Sequence, residues 1–269
     1  MIEFAARTSM SDHAQQPSQE SNLVYHEAQD RMALLPNYYA WIANLFADHV
    51  SGTVLELGSG AGLVVRNYLD RVERVIAVDI NRELLARLER TLPREKVTGL
   101  EVDLRGDWHE LDGVTADCVI ALDVVEHFED DANFVAKMKS RLRPGGKLIV
   151  KVPAQTKLYS DMDRASGHFR RYDDADLRAL MESHGLRTLA LRHMNPAGAW
   201  GYRFKKEQKT NFSKTFSPGK LKAVNTLIPM IALLDHVPFL KGLSLVGVFQ
   251  NTEPARTPTR SGSDIEPNP

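Results

Sequence analysis

The stretch Val54-Leu55-Glu56-Leu57-Gly58-Ser59-Gly60-Ala61-Gly62 constrains the fold more than any other part of the chain. A short apolar run enters a turn with glycine at alternate positions, and a second apolar-periodic segment begins near Leu63. Glycines so spaced let the backbone bend sharply and bring its N–H groups against a ligand. The pattern predicts a strand over 53–57 and a helix over 63–70. The positive end of that helix would face the ligand.

The rest of the chain repeats the alternation. Apolar runs at 74–79, 97–102, 117–122, 147–152, 186–193 and 243–250 read as strands. Helices are expected over 81–91, 129–141 and 173–184, the last opened by Asp173-Asp174 and ended by Gly185. Arg143-Pro144-Gly145-Gly146 reads as a turn, and Asn195–Gly201 as a turn-rich loop. The expected fold class is α/β: a seven-stranded, mostly parallel sheet with helices on both faces. Two N-terminal helices, over 23–35 and 37–49, are separated by Pro36. An apolar helix over 218–234 belongs to a helical cap insert spanning 203–235. The sheet domain is taken as 22–250, with polar, proline-bearing flanks at 1–21 and 251–269 expected to be disordered.

Ligands of such sheets bind beyond the carboxyl ends of the strands. Acids stand at three consecutive ends: Asp79-Ile80, Asp103-Leu104, and Asp123-Val124-Val125-Glu126-His127. A carboxylate at Asp79 can accept from both hydroxyls of a ribose, and Asp103 could accept from an adenine amino group. Together with the glycine turn they describe a nucleoside site. The glycines depart from G-x-G-x-x-G, since the third comes one residue early and the acidic Glu56 stands in the strand before them. Both features count against a nicotinamide cofactor, although an NAD(P)-dependent oxidoreductase remains a rival reading.

With these residues the chain resembles the class I S-adenosylmethionine (SAM) methyltransferases. Glu56, Gly58, Ser59, Gly60 and Gly62 resemble the family's glycine loop, Asp79 its ribose acid and Asp103 its adenine-side acid. Leu122-Asp123-Val124-Val125-Glu126-His127 resembles the motif beside the methionine part of SAM, and Leu142-Arg143-Pro144-Gly145-Gly146-Lys147-Leu148 resembles L-x-P-G-G-x-L. Val152-Pro153-Ala154, Leu158-Tyr159, Asp163 and Gly167-His168-Phe169-Arg170-Arg171-Tyr172 resemble a bacterial subgroup with a G-H-x-R-R-Y loop. The resemblance implies a Rossmann-like sheet, SAM as cofactor, and cofactor contacts from Glu56 through Gly62, Asp79, Ile80, Asp103, Leu104, Asp123, Val124 and His127.

The acceptor half is less constrained. Residues 153–172 make a polar segment too long for a plain connector. Within it His168 is the candidate general base, with Tyr172 beside it as a second catalytic candidate. Arg170 and Arg171 could grip an anionic acceptor or pair with Asp161, Asp163 or Asp173. Tyr25 and Tyr39 are expected to line the acceptor pocket. Asp123, Glu126, His127 and His168 have ligand types suited to a divalent cation. D-x-x-E-H occurs in the resembling subgroup without implying a metal, and none is expected. The favoured reaction is methyl transfer to an oxygen of a small molecule, with nitrogen or carbon as alternatives. A SAM-binding sensor or scaffold without turnover is a third reading.

Composition narrows the partners. A formal net charge of −1 over 269 residues argues against a binder that reads nucleic acid through a basic surface. The single cysteine, Cys118, excludes a disulfide framework, and no apolar signal core opens the chain, so a cytoplasmic protein is expected. No apolar run is long enough for stable membrane insertion. The 218–234 helix could cover the pocket or support a homodimer.

Overall fold

A computed structural model describes residues 30–205 and 217–254. Residues 1–21 and 255–269 of the expected disordered flanks, the 23–29 part of the first helix, Tyr25, and most of the basic stretch after Arg203 lie outside the described residues, while Asn251 of the second flank belongs to the last strand. Strands β1 Thr53–Leu57, β2 Arg74–Asp79, β3 Val97–Glu101, β4 Ala116–Leu122, β5 Leu142–Pro153, β6 Leu186–Met194 and β7 Ser244–Asn251 form one sheet in the order β3-β2-β1-β4-β5-β7-β6. The first five run parallel, and β7 lies antiparallel between β5 and β6. Helices α1 Pro36–Asn44, α2 Arg82–Thr91, α3 Asp131–Ser140, α4 Asp161–Ala165, α5 Asp174–Ser183, α6 Pro196–Lys205 and α7 Pro218–Ala232 complete the described frame.

The near-continuous apolar strands are explained by burial on both faces. Val54, Cys118, Ile120, Ile149 and Val248 face one core with Ile42 of α1, Leu85 and Leu88 of α2, and Leu221 and Ile228 of α7. Their neighbours Leu55, Val119, Ala121, Leu148, Val150 and Phe249 face the other, with Phe134 and Met138 of α3 and Leu177 and Met181 of α5. Period-two alternation thus runs between two apolar layers rather than between core and water.

Three expectations are corrected. The segment 63–70 is not an α-helix but two 3-10 turns, Val65–Asn67 and Leu69–Arg71. The Asn67 side-chain amide donates to the carbonyl of Leu63 at 3.0 Å, and Tyr68 is drawn inward to Glu56. Side-chain bonds of that kind compete with a regular helix. Arg143–Gly146 is absorbed into β5 as an irregularity: Ala116 pairs with Leu142 but Cys118 with Lys147. The expected loop at Asn195–Gly201 is instead the start of α6. Asn195 Oδ1 accepts from Gly198 N at 2.8 Å and Pro196 opens the helix, an N-cap followed by a first-turn proline. The segment after β5 is ordered by a 3-10 turn at Thr156–Leu158 and by α4.

The cap and the N-terminal helix brace one another. Asn37 N donates to Asn225 Oδ1 and Asn37 Nδ2 to the Asn225 carbonyl, each at 2.9 Å, and Trp41 Nε1 donates to Asp235 at 2.7 Å. Both helices lie over the face that carries Ile149 and, two residues on, Lys151. Among the described residues no helix is long and apolar enough to cross a membrane.

Candidate functional site

The carboxyl edge of the sheet gathers the expected cofactor residues. After β1 the chain turns through Gly58, whose φ of 71° suits glycine alone without strain. A Cβ there would lie 2.7 Å from Val124 Cγ2, so the loop after β1 and the loop after β4 are in close approach. Gly60 N donates to Asp79 Oδ2 at 2.8 Å, Asn81 N donates to Asp79 Oδ1 at 2.8 Å, and Gly62 N donates to the Ser59 carbonyl at 3.0 Å. Burial raises the Asp79 pKa, against the lowering effect of its backbone donors. Ile80 N is a third backbone donor to Asp79, which leaves about one acceptor position on the carboxylate. Ser59 Oγ is buried without a hydrogen-bond partner among the described residues. Ile80 and Leu104 are half-buried beside these acids.

Two of the expected acids are engaged within the protein. Glu56 accepts from the Tyr68 hydroxyl inside the core; burial pushes its pKa up to about 7, with the phenol opposing. Asp103 is held by Arg105, whose Nε and Nη2 donate at 2.9 Å each. Partial burial would raise the Asp103 pKa, but those bonds outweigh it and hold it low.

The end of β4 carries more than was expected. Asp123 takes a left-handed φ of 56° and accepts from Lys151 Nζ at 2.6 and 2.5 Å. Lys151 is only 2% exposed. Burial alone would lower its pKa, but Asp123, Tyr38 and Glu126 reverse the sign and raise it. Lys151 was missed because it lies inside an apolar run. A lysine between Val150 and Val152 was itself the signal, since lysines are almost never fully buried without a partner.

Glu126 and the two histidines converge beside this pair. Glu126 is fully buried, and neither carboxylate oxygen has a hydrogen-bond partner among the described residues. Burial first, then the Asp123 charge, pushes its pKa well above the usual carboxylate range. The ring centroids of His127 and His168 lie 4.8 Å apart in an edge-on contact. His127 Nδ1 is 3.2 Å from the Gly167 carbonyl, so that nitrogen carries the proton. Burial and the His168 charge lower the His127 pKa to about 4, which keeps the ring neutral near pH 7. His168 Nδ1 lies 3.3 Å from Asp163 Oδ1, and its Nε2 lies 4.0 Å from Glu126 Oε1.

Asp163 organises the acceptor segment from within. Its carboxylate also accepts from Arg171 Nε at 2.9 Å, the Tyr202 hydroxyl at 2.9 Å and Ser160 N at 2.9 Å. Burial would raise its pKa, but His168, Arg171 and Tyr202 together drive it far down, so it is an anion. Of the expected acceptor-side residues, Arg171 makes the alternative pairing with Asp163, and Arg170 and Tyr172 are engaged within the protein. Arg171 is buried against Asp163 and the Ala154 carbonyl, and cannot grip an acceptor. Arg170 pairs with Asp131 at 2.9 Å. Tyr172 is buried in the second core, donates to Asp131 at 2.7 Å and has its pKa raised by burial and by that acid. Tyr39 is partly buried on α1, edge-on to Tyr38 at 5.6 Å.

A family model described as a methyltransferase domain matches residues 26–191, which includes every one of these strand ends up to β5. The chain belongs to the methyltransferase domain family. A Mycolicibacterium smegmatis protein described as a probable S-adenosylmethionine-dependent methyltransferase is 32% identical over 137 residues, 49% of this chain and 51% of the relative. The trans-aconitate 2-methyltransferase of Azoarcus sp. is 28% identical over 159 residues, 56% of this chain and 54% of that one. The chain thus spans about half the length of the curated relatives it matches. Among solved structures, a geranyl diphosphate methyltransferase in complex with SAM aligns with a TM-score of 0.55 at 13% identity, covering 79% of this chain and 85% of that one. A SAM-dependent methyltransferase from Clostridium acetobutylicum aligns with a TM-score of 0.51 at 12% identity, covering 81% and 92%. At these identities the structures bear on the fold alone.

Proposed function

We propose that the protein transfers the methyl group of SAM to an oxygen atom of a small acceptor. SAM lies across the carboxyl edge, its ribose on Asp79, its adenine toward Asp103 and Leu104, and its methionine end beside Asp123 and Val124. The observation that carries the oxygen reading is the Asp163–His168 pair. An anionic carboxylate on Nδ1 fixes the ring so that the lone pair of Nε2 faces the cluster after β4. In the transfer the C–S bond of the sulfonium breaks as an O–C bond forms, and S-adenosylhomocysteine leaves with the electron pair on sulfur. A hydroxyl acceptor yields its proton to His168; an ionised carboxylate needs no base. Alignment of acceptor and sulfonium supplies on the order of 7–11 kcal/mol of the barrier. One relative's name carries a carboxylate-bearing acceptor, trans-aconitate.

The test is incubation of the protein with methyl-labelled SAM and a metabolite pool, followed by mass spectrometry and mild alkali. Label released as methanol identifies a carboxyl ester, and label stable to alkali but lost to ether cleavage identifies a hydroxyl acceptor. Label retained on nitrogen or carbon overturns the oxygen reading.

A further inference from the structure

The side chains after β4 make a second kind of site. Glu126, His127 and His168 each offer one ligand atom, and these three atoms lie within 4.8 Å of one another. Asp163 occupies Nδ1 of His168, and the Gly167 carbonyl occupies Nδ1 of His127. A carboxylate behind a histidine is the usual support of a metal-binding imidazole, because it fixes the tautomer and the ring plane. Glu126 faces both rings with two buried oxygens that bond to nothing among the described residues. A buried carboxylate left this way costs several kcal/mol unless it is neutralised or given a cation.

From this geometry we infer that Glu126, His127 and His168 bind one divalent first-row transition-metal ion. Two imidazoles and one carboxylate suit such an ion better than magnesium or calcium, which favour oxygen ligands throughout. Ligands on one ion at about 2.1 Å stand roughly 3–3.5 Å apart. The 4.0 Å between His168 Nε2 and Glu126 Oε1 therefore closes by about 0.5–1 Å on binding, and no separation in the group, at most 4.8 Å, needs to close by more than about 2 Å. Phe169 N donates to the Glu126 carbonyl at 2.8 Å, and the Tyr159 hydroxyl donates to the His168 carbonyl at 2.8 Å, so the backbones that carry the ligands are already tied. Three protein ligands leave positions open to water or to an acceptor oxygen.

The site stands on these side chains alone. Only the ion's role rests on the proposed oxygen acceptor. In the loaded protein Nε2 of His168 is a ligand rather than a base, and the ion itself acidifies an acceptor hydroxyl.

The experiment is titration of the full chain with Co2+, followed by visible absorption and by calorimetry, with neither SAM nor acceptor present. The expected result is one saturable site per chain, with ligand-field bands of a four- to five-coordinate ion. Glu126→Gln, His127→Gln and His168→Gln are each expected to weaken binding at least tenfold, and His184→Gln to leave it unchanged. Asp163→Asn, a positioning change, is expected to weaken it 10–100-fold. Glu126→Gln keeps the volume of a buried side chain whose oxygens bond to nothing among the described residues, so its melting temperature should not fall; this separates lost metal binding from lost folding. No saturable Co2+ site, or equal affinity in wild type and the Glu126 and His168 variants, overturns the inference. Methyl transfer to oxygen that persists in exhaustively chelated protein would then leave the proposed function standing with His168 as base. A bound ion with transfer to nitrogen or carbon would do the reverse.

Discussion

The backbone N–H of Gly60 donates to Oδ2 of Asp79 at 2.8 Å, so the loop after β1 is held by the acid that ends β2. The same carboxylate therefore shapes the glycine loop and, in the proposed function, accepts from a ribose. Asp79→Ala removes both at once. Charge-assisted bonds of this kind are worth about 1.5–3 kcal/mol each. Calorimetry with S-adenosylhomocysteine should show affinity reduced by at least tenfold. Wild-type affinity in that variant would refute the ribose assignment.

The approach of Gly58 to Val124 makes a two-residue prediction. Gly58→Ala puts a methyl group 2.7 Å from Val124 Cγ2 and imposes a left-handed backbone on an L-residue. The backbone part alone costs about 1–2 kcal/mol. Cofactor affinity and melting temperature should both fall. Adding Val124→Ala should recover the steric part and not the backbone part. Full recovery, or none, would show that the two loops do not meet as described.

Lys151 and Asp123 are unequal partners. Lys151 is 2% exposed, whereas the Asp123 side chain is 50% exposed. Asp123→Ala strands a buried ammonium, at a cost of about 3 kcal/mol, the lower end for a broken buried pair because water reaches one side. For a protein of this size that is roughly 6–12 °C in melting temperature. Lys151→Met leaves Asp123 to water and should cost less than half as much. Scanning calorimetry of the two variants checks the order.

Glu56 predicts a pH dependence of stability. Its folded pKa, about 7, lies above the ordinary value of 4.5. Between those values the folded state holds more protons than the unfolded state, so stability falls as pH rises through that window and levels above it. A shift of that size corresponds to on the order of 3 kcal/mol. Unfolding by urea at pH 5 and pH 8 should show the loss in wild type and a flatter profile in Glu56→Gln. An identical profile in the variant would remove the assignment.

Tyr172 should prove structural. Tyr172→Phe breaks one bond to Asp131, worth about 1 kcal/mol, and leaves the ring in its core. Turnover should stay near wild type while stability drops slightly. A loss of turnover without a loss of stability would return Tyr172 to the catalytic group.

The acid-bearing strand ends and the strand–helix alternation were readable from the chain because both are local. Each strand is a short apolar run, and the ligand edge follows from where such runs stop. The same locality explains the errors. Arg171, Tyr172 and His168 stand within five residues of one another in sequence, and nothing in their spacing tells which turns inward. Only folding placed Asp163 beneath Arg171 and His168, and Asp131 against Arg170 and Tyr172, turning an expected anion clamp into internal ion pairs. Lys151 likewise acquires meaning only when β4 and β5 lie in register and bring Asp123 to it.

The sequence by itself determined the sheet, the glycine turn and the line of acids, since backbone conformation and apolar period are properties of neighbouring residues. The tertiary structure decided which polar side chains remain available for chemistry. That choice depends on burial and on partners distant in the chain, 42 residues for Glu126 with His168 and 28 for Asp123 with Lys151.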